Sequence, residues 1–243
     1  MPSFPLKYLV PNAVTALSLL LGLASVAASA QGEYELAAWM VLWCTLLDKA
    51  DGTAARLLDA TSKFGVEFDS FADFVSFGIA PAALFYFRLS HGEAPRALVI
   101  FASALYAVAL AVRLARFNIT TSDTAMFEGV PGTLMGGVLA SGYLAFHKHA
   151  VPDAILPYTP AFAILGAILM VSTLRIPKLK LRKSKAFNAF QIANMASAYI
   201  LAPLRLFPEY LFGLSMLYLV GGLIAGALGP SESAAKAPEE KAA

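Results

Sequence analysis

Long apolar runs separated by short polar segments dominate this chain. Eight of these runs are close to the roughly 20 residues that an α-helix needs to cross about 30 Å of hydrocarbon. They cover residues 12–30, 36–58, 66–87, 97–117, 132–146, 160–174, 189–206 and 210–228. The pattern predicts an all-α integral membrane protein.

Composition agrees with this interpretation. Hydrophobic residues make up 58% of the 243 positions and charged residues only 14%, outside the usual balance of soluble domains. A net charge of +2 gives no indication of a nucleic acid partner. The single cysteine, Cys44, lies in an apolar run, so a disulfide framework or cysteine metal cluster within one chain is excluded.

The distribution of basic residues predicts the orientation. Lys7 and the Ala28-Ser29-Ala30 segment imitate a secretory signal peptide, but the apolar run between them is long and leads into further spans, so we expect it to be retained. With eight spans and a cytoplasmic N-terminus, only four basic residues fall on the outer side: Arg88, Arg96, Lys148 and Arg205. The other 14 of the 18 are then cytoplasmic. We therefore expect a multi-pass protein of the cell (inner, cytoplasmic) membrane with both termini cytoplasmic.

Two polar segments add to this picture. The basic residues within 178–185 could attract anionic lipid at the membrane surface, or they could serve only to fix the topology. Residues 230–243 are rich in Ser, Ala, Glu and Lys and lack aromatic residues, which predicts a disordered tail.

Four carboxylates interrupt the second and third apolar runs. An ionised carboxylate within a span costs about 2.5 to 3.5 kcal/mol, so such residues usually face a cavity or a partner. Asp48 and Asp51 are three positions apart and Asp69 and Asp73 four, so each pair lies along one face of its helix. Two facing pairs would form an acidic cup.

The acidic cup predicts a divalent metal site. Mutual repulsion among the carboxylates requires more neutralisation than the nearby lysines and arginines supply, and oxygen ligands favour Mg²⁺ or Mn²⁺. The three histidines fall on the opposite side of the predicted membrane and are not expected to be ligands: His91, His147 and His149. The second run is apolar for roughly 18 Å before Asp48, which places the cup in the cytoplasmic half of the bilayer.

Small residues accompany the acids. Gly52 and Ala55 continue the acidic face of the second helix, and Gly65 precedes the expected start of the third. Each could serve close helix packing or leave room for a ligand against the backbone. Together with the acids, they favour a ligand site.

The motif around these residues reads D-x2-D-G-x2-A-R-x8-G-x3-D-x3-D, from Asp48 to Asp73. It resembles the complete signature of the CDP-alcohol phosphotransferase family. The resemblance implies a six-helix catalytic membrane domain over residues 1–182, followed by two additional helices over 183–229 and the tail. It also favours a homodimer.

The resemblance further implies a reaction in which an alcohol hydroxyl attacks the β-phosphate of a CDP-linked lipid and CMP leaves. It implies two divalent ions, Mg²⁺ or Mn²⁺, held by Asp48, Asp51, Asp69 and Asp73, with Asp73 also accepting the proton of the hydroxyl. Seven residues would contact the CDP-lipid: Asn12, Thr15, Gly52, Ala55, Arg56, Ser62 and Gly65.

Four further segments are similar to bacterial and archaeal phosphatidylserine synthases: residues 69–82, 113–118, 127–131 and 169–175. This resemblance implies CDP-diacylglycerol and L-serine as substrates. Arg113, Arg116 and Asn118 would then bind the acceptor, since a cationic fork and an amide suit the serine carboxylate. The same arginines could instead be topological anchors.

Other interpretations stay open at this point. Within the family, glycerol 3-phosphate, inositol phosphate or choline could be the acceptor. A cation or proton transporter would also carry intramembrane carboxylates, but its site would more often lie near the midplane between inverted repeats. A non-catalytic lipid-binding protein of this fold would be expected to lack a residue of the motif, and none is missing.

Overall fold

The computed structural model describes residues 6–90, 94–120, 126–149, 158–178 and 184–228. Within these residues, the architecture is a helical bundle with one short two-stranded sheet. The helices are α1 (Leu9–Ala30), α2 (Tyr34–Leu57), α3 (Lys63–Leu89), α4 (Arg96–Ile119), α5 (Gly132–Lys148), α6 (Thr159–Val171), α7 (Lys185–Leu201) and α8 (Pro208–Leu228). His91, residues 179–183 of the basic segment and the predicted tail lie outside the described residues.

The protein is an all-α integral membrane protein. All eight apolar runs form helices, and four of the described helices are long and apolar enough to cross a membrane: α1, α3, α4 and α8. The sixth and seventh differ from the predicted bounds. α6 ends at Val171 because the chain becomes extended and pairs as a strand from Arg175. α7 both begins and ends earlier than the predicted run of residues 189–206.

Helix α1 buries small and weakly polar residues rather than large apolar ones. Its buried positions recur every three or four residues and include Thr15, Ser18, Gly22, Ser25 and Ser29. A Cβ on Gly22 would lie 2.8 Å from Ser76 Oγ on α3, so the two helices pack closely here. The leucines of α1 point outward instead, with Leu20 62% exposed. Small residues inside and leucines toward lipid are typical of membrane bundles.

Helix α3 changes its winding directly after Asp73. It is α-helical over Lys63–Asp73, π-helical over Phe74–Ile79 and α-helical again over Ala80–Leu89. Pro81 offers a physical reason, because proline has no N–H and its ring would clash with the carbonyl four residues earlier in a regular α-helix. Such wide turns often occur at functional sites.

The sheet joins two loops on the side of the bundle where α4 ends. Strand β1 (Met126–Glu128) pairs antiparallel with β2 (Arg175–Pro177). Gly129 follows β1 with a φ of +70° and donates its N–H to Leu174 O at 2.8 Å. A Cβ at Gly129 would collide with the backbone oxygen of Met170, so glycine is required for both conformation and space.

The last two helices pack on the others in different ways. α8 lies against α5 and β2, and Tyr218 donates to Pro177 O at 3.0 Å. α7 has no buried residue, but Tyr199 donates to Leu46 O of α2 at 2.8 Å. The small residues from Gly132 to Ser141, which could have packed within a protomer or across a dimer, are largely buried inside the protomer.

Candidate active site

The four aspartates gather where the second half of α2 meets the first half of α3. One carboxylate oxygen from each of Asp48, Asp51 and Asp69 lies within 4.8 Å of the others. The i, i+3 spacing places both α2 acids on the side that faces α3, as the sequence predicts. Asp51 is buried, whereas Asp48 and Asp69 are partly accessible.

Two threonines lie beside the α2 carboxylates. Thr15 on α1 is buried and donates its hydroxyl to Asp51 Oδ2 at 2.7 Å. Thr133, at the start of α5, lies near the carboxylate of Asp48. The acidic cluster is therefore bordered by two helices besides those that carry it. Thr133 was not predicted from the sequence as a site residue. Its position just after residues 127–131, which resemble phosphatidylserine synthases, could have suggested it.

The connection between α2 and α3 is fixed by local hydrogen bonds. Asp59 adopts a left-handed conformation with a φ of 47°, and the N–H of Ala60 bonds to Ala55 O at 2.8 Å, which closes α2. Lys7 donates to Asp59 O at 2.8 Å and ties the start of the chain to this turn. Ser62 caps α3 by accepting from the N–H of Gly65 at 3.0 Å.

This cap corrects the predicted place of Gly65. It lies in the first turn of α3 rather than in the loop, because α3 begins at Lys63. A Cβ on Gly65 would lie 3.2 Å from Ser62 Oγ and 3.4 Å from Asn12 Oδ1. The structure thus brings together three of the predicted CDP-lipid residues, Asn12, Ser62 and Gly65, beside the acids.

The other predicted CDP-lipid residues border an open space. A Cβ on Gly52 would meet no atom within 4 Å, and Gly52 is exposed beside Asp51. Arg56, one turn further along α2, is also exposed, and its Nη2 lies 3.5 Å from Thr53 Oγ1. Ala55 is partly exposed between them. The Arg56 guanidinium would lie close to an anionic group bound in this space.

Asp73 lies one turn beyond Asp69 and is not a member of the three-carboxylate group in the described part of the chain. Its charge interacts with those of Asp48 and Asp69 and, with opposite sign, with that of Arg113 on α4. Arg113 is only 8% exposed, and its Nε has no hydrogen-bond partner among the described residues. A buried guanidinium with a free donor beside a carboxylate is suited to binding a small anion.

Arg116 has a different environment. Its guanidinium donates to three backbone carbonyls, those of Val171 at 2.9 Å, Ser172 at 3.2 Å and Glu128 at 3.3 Å. Three of the four segments that resemble phosphatidylserine synthases, residues 113–118, 127–131 and 169–175, therefore meet at this one residue. The predicted acceptor-binding side chain is engaged in joining α4, β1 and the end of α6.

Asn118 is turned toward α3. Its Nδ2 donates to Ser70 Oγ at 3.1 Å and to Glu67 Oε2 at 3.3 Å. It therefore links the end of α4 to the outer face of α3, and both of its partners are on the helix that carries Asp69 and Asp73.

A small pocket lies beside Arg113 and Arg116. Its volume is about 40 Å³, and Glu128 and Lys178 also line it. Lys178 Nζ lies 5.3 Å from the centre of the Phe127 ring. Glu128 was not predicted from the sequence as a site residue. The pocket combines three cations with one carboxylate.

The donor set fits divalent magnesium or manganese. Hard divalent cations bind carboxylate oxygens, and those of Asp48, Asp51 and Asp69 already converge without any rearrangement of the helices. Asp48, Asp51 and Asp69 are the residues that would hold an ion. The fold and this site together define a class: a multi-pass membrane protein with a cluster of carboxylates between two helices that could hold a metal ion.

Comparison with known proteins identifies the family. The sequence profile described as CDP-alcohol phosphatidyltransferase matches residues 8–174, more than two thirds of the chain. The chain belongs to the CDP-alcohol phosphatidyltransferase family.

Individual relatives carry one name. A CDP-diacylglycerol–serine O-phosphatidyltransferase from Helicobacter pylori is 35% identical over 92% of this chain and 93% of its own length. Proteins of the same name from Methanocaldococcus jannaschii and Bacillus subtilis are each 31% identical, over 74% and 70% of this chain and 78% and 91% of their own lengths. These relatives come from both bacteria and archaea, as the resemblance implied.

Proposed function

We propose that this protein transfers the phosphatidyl group of CDP-diacylglycerol to the hydroxyl of L-serine, giving phosphatidylserine and CMP. The observation that carries the proposal is the convergence of Asp48, Asp51 and Asp69 next to Asp73 and the open space at Gly52. The shared name of the relatives supports serine as the acceptor.

Asp48, Asp51 and Asp69 would hold two divalent ions, Mg²⁺ or Mn²⁺, and Asp73 would contribute from the next turn of α3. When bound, such ions supply positive charge that neutralises the diphosphate and stabilises the leaving group. Thr15 keeps the Asp51 carboxylate oriented toward the site by a hydrogen bond, and Thr133 lies beside Asp48.

The CDP part of the lipid occupies the space beside Gly52, where the backbone can be approached closely. Arg56 pairs with the diphosphate, and Asn12, Thr15, Ala55, Ser62 and Gly65 surround the nucleotide end. Since Thr15 already donates to Asp51, its part in substrate binding is to position that carboxylate rather than to donate to the nucleotide.

Asp73 accepts the proton of the serine hydroxyl while the hydroxyl oxygen forms a bond to the β-phosphorus. The bond from that phosphorus to the oxygen of CMP breaks, and CMP carries away the electron pair. A positioned carboxylate of this kind contributes about 100- to 10,000-fold to a rate.

Arg113 binds the carboxylate of serine. It is the buried cation with a free Nε, and it lies close enough to Asp73 for their charges to interact. Glu128 faces the ammonium group across the adjoining pocket. Arg116 supports this pocket by fixing the backbone of residues 128, 171 and 172, and Asn118 holds the end of α4 against α3.

The site faces the cytoplasm, in the cell membrane, because the basic residues concentrate on the side where the acids lie. CMP can then leave into the compartment from which serine comes. The functional unit is a homodimer, as the family resemblance implies.

CMP release from CDP-diacylglycerol tests the acceptor. Purified protein is incubated with Mg²⁺, CDP-diacylglycerol and one acceptor at a time: serine, glycerol 3-phosphate, inositol phosphate or choline. The lipid product is identified by mass spectrometry. We expect release of CMP and formation of phosphatidylserine with serine, and no CMP release with the other three acceptors. Release with another alcohol but not with serine would overturn the proposal, and chelation of the metal should stop the reaction with serine.

A further inference from the structure

A second cavity opens at the end of the bundle opposite the aspartates. It has a volume of about 610 Å³, within the range of small-molecule sites, and it is enclosed by α3, α5, α6 and α8. Most of its lining is apolar and includes Leu84, Val138, Leu165, Phe212 and Met216. No residue of the acidic site contributes to it.

The polar lining residues are confined to one end. Arg88 is the penultimate residue of α3, His147 the penultimate residue of α5, and Thr159 the first residue of α6. From His147 the cavity follows α5 inward to Met135, roughly 18 Å at 1.5 Å per residue. That depth is close to half of the approximately 30 Å thickness of a bilayer core.

The polar end carries a positioned cation. Arg88 lies near the Tyr143 side chain, and its guanidinium carbon lies 5.9 Å from the centre of the Tyr34 ring. Tyr143 in turn stacks on His147 with ring centres 5.8 Å apart. Aromatic side chains beside an arginine at the ends of membrane helices are typical of the level at which lipid head groups lie.

We propose that this cavity binds one anionic phospholipid of the leaflet opposite the active site, with an acyl chain in the apolar part and the phosphate at Arg88. The match has three elements: an apolar length of one leaflet, a cationic end at the interface, and a guanidinium whose geometry suits phosphate oxygens. The lipid is distinct from the substrate, whose CDP group belongs at the other end of the bundle.

Retained lipid in native mass spectra tests this assignment. The protein is reconstituted in nanodiscs of equal phosphatidylglycerol and phosphatidylethanolamine, then released in mild detergent. We expect one lipid per chain, with phosphatidylglycerol preferred by about fivefold. Arg88→Gln should remove the preference, and Leu165→Trp, which fills the cavity, should remove the bound lipid of either kind.

Two variants serve as matched controls. Arg96→Gln removes an exposed cation at the same end of the bundle, and Ile168→Trp adds the same bulk to α6 at a position that is 59% exposed and does not line the cavity. Both should retain lipid as the wild type does. All variants should keep CMP release, which shows that they are folded.

Three outcomes would overturn the proposal. One is the absence of retained lipid, or retention that neither Arg88→Gln nor Leu165→Trp changes. Another is displacement of the lipid by one equivalent of CDP-diacylglycerol, which would make the cavity part of the substrate site. A third is that Leu165→Trp loses a bound second copy of the chain and keeps its lipid, which would make the cavity part of a contact between two copies. None depends on which alcohol the enzyme accepts.

Discussion

A single hydroxyl on α1 orients Asp51. Thr15 donates to Oδ2 at 2.7 Å from a fully enclosed position, so the carboxylate cannot rotate freely. Spacing predicts Asp51 as a site residue and the family resemblance implies Thr15, but neither predicts their contact, because the pairing of α1 with α2 is set by tertiary packing.

Replacing Thr15 by Val should weaken metal binding, since groups that orient metal ligands typically account for 10- to 100-fold in affinity. The Mn²⁺ concentration at half-maximal CMP release should rise by about that factor, while the rate at saturating Mn²⁺ changes less. Thr15→Ser keeps the hydroxyl and should behave like the wild type. An unchanged metal midpoint in Thr15→Val would refute the role of this hydrogen bond.

In the proposed reaction, Asp73 accepts the proton of the serine hydroxyl. Asp73→Asn should lower the rate of CMP release by at least about 100-fold, because an amide cannot accept the hydroxyl proton. Binding of CDP-diacylglycerol, followed by calorimetry, should persist. Asp59→Asn makes the same charge change in the nearby turn, where Asn tolerates the left-handed conformation, and should be fully active.

The sequence predicts the acidic residues better than their cationic neighbours. Spacing alone places Asp48, Asp51, Asp69 and Asp73 on two facing surfaces, and three of them converge as expected. The arginines of α4 could not be told apart in this way, because binding and topological anchoring require the same residue type. Burial of Arg113 and the three carbonyl contacts of Arg116 separate them.

At the scale of elements, the β1–β2 sheet was missed entirely. Each strand has only three residues, too few to show an alternating pattern, and their partners are far apart in the chain. Gly129 offered the only local indication of an unusual backbone there. The π-helical turn of α3 was missed as well, since the apolar pattern of residues 66–87 is continuous through it.

The Gly129 turn should be sensitive to any side chain. Gly129→Ala combines a left-handed φ, which costs about 1 to 2 kcal/mol, with a collision at Met170 O. Gly32→Ala is the matched control, because its φ of 84° is similar but a Cβ there meets nothing within 4 Å. We expect a distinctly larger loss of thermal stability for Gly129→Ala in detergent. Equal losses would contradict a contribution from crowding.

At the scale of the whole molecule, the eight apolar runs correctly predict helices in the described part of the chain, and four of these helices have the length and apolarity of a membrane span. What the runs could not predict is how the helices pack. The buried face of α1 is formed mostly by Ser, Thr and Gly, which in the sequence look like interruptions of the apolar run. The cavity at the far end likewise arises only from the arrangement of four helices.

Reporter fusions test the predicted orientation. A green fluorescent protein joined to the C-terminus should be fluorescent, and alkaline phosphatase joined there should be inactive, because both reporters would stay in the cytoplasm of a bacterial host. Alkaline phosphatase joined after His149 should be active. The reverse pattern would place the acidic site on the outer side and contradict a cytoplasmic supply of serine.

The π-helical segment of α3 sets how the side chains before it are oriented relative to the side chains after it. Asp69 and Asp73 precede Phe74–Ile79, whereas Leu84 and Arg88 follow it. Deleting Ala83, in the regular α-helical half, would leave α3 long enough to span the bilayer, but it would rotate Leu84 and Arg88 against Asp69 and Asp73 by roughly 100°. Such a deletion should therefore yield a protein that inserts and accumulates at normal levels in membranes yet releases no CMP, so even a one-codon loss here is not neutral.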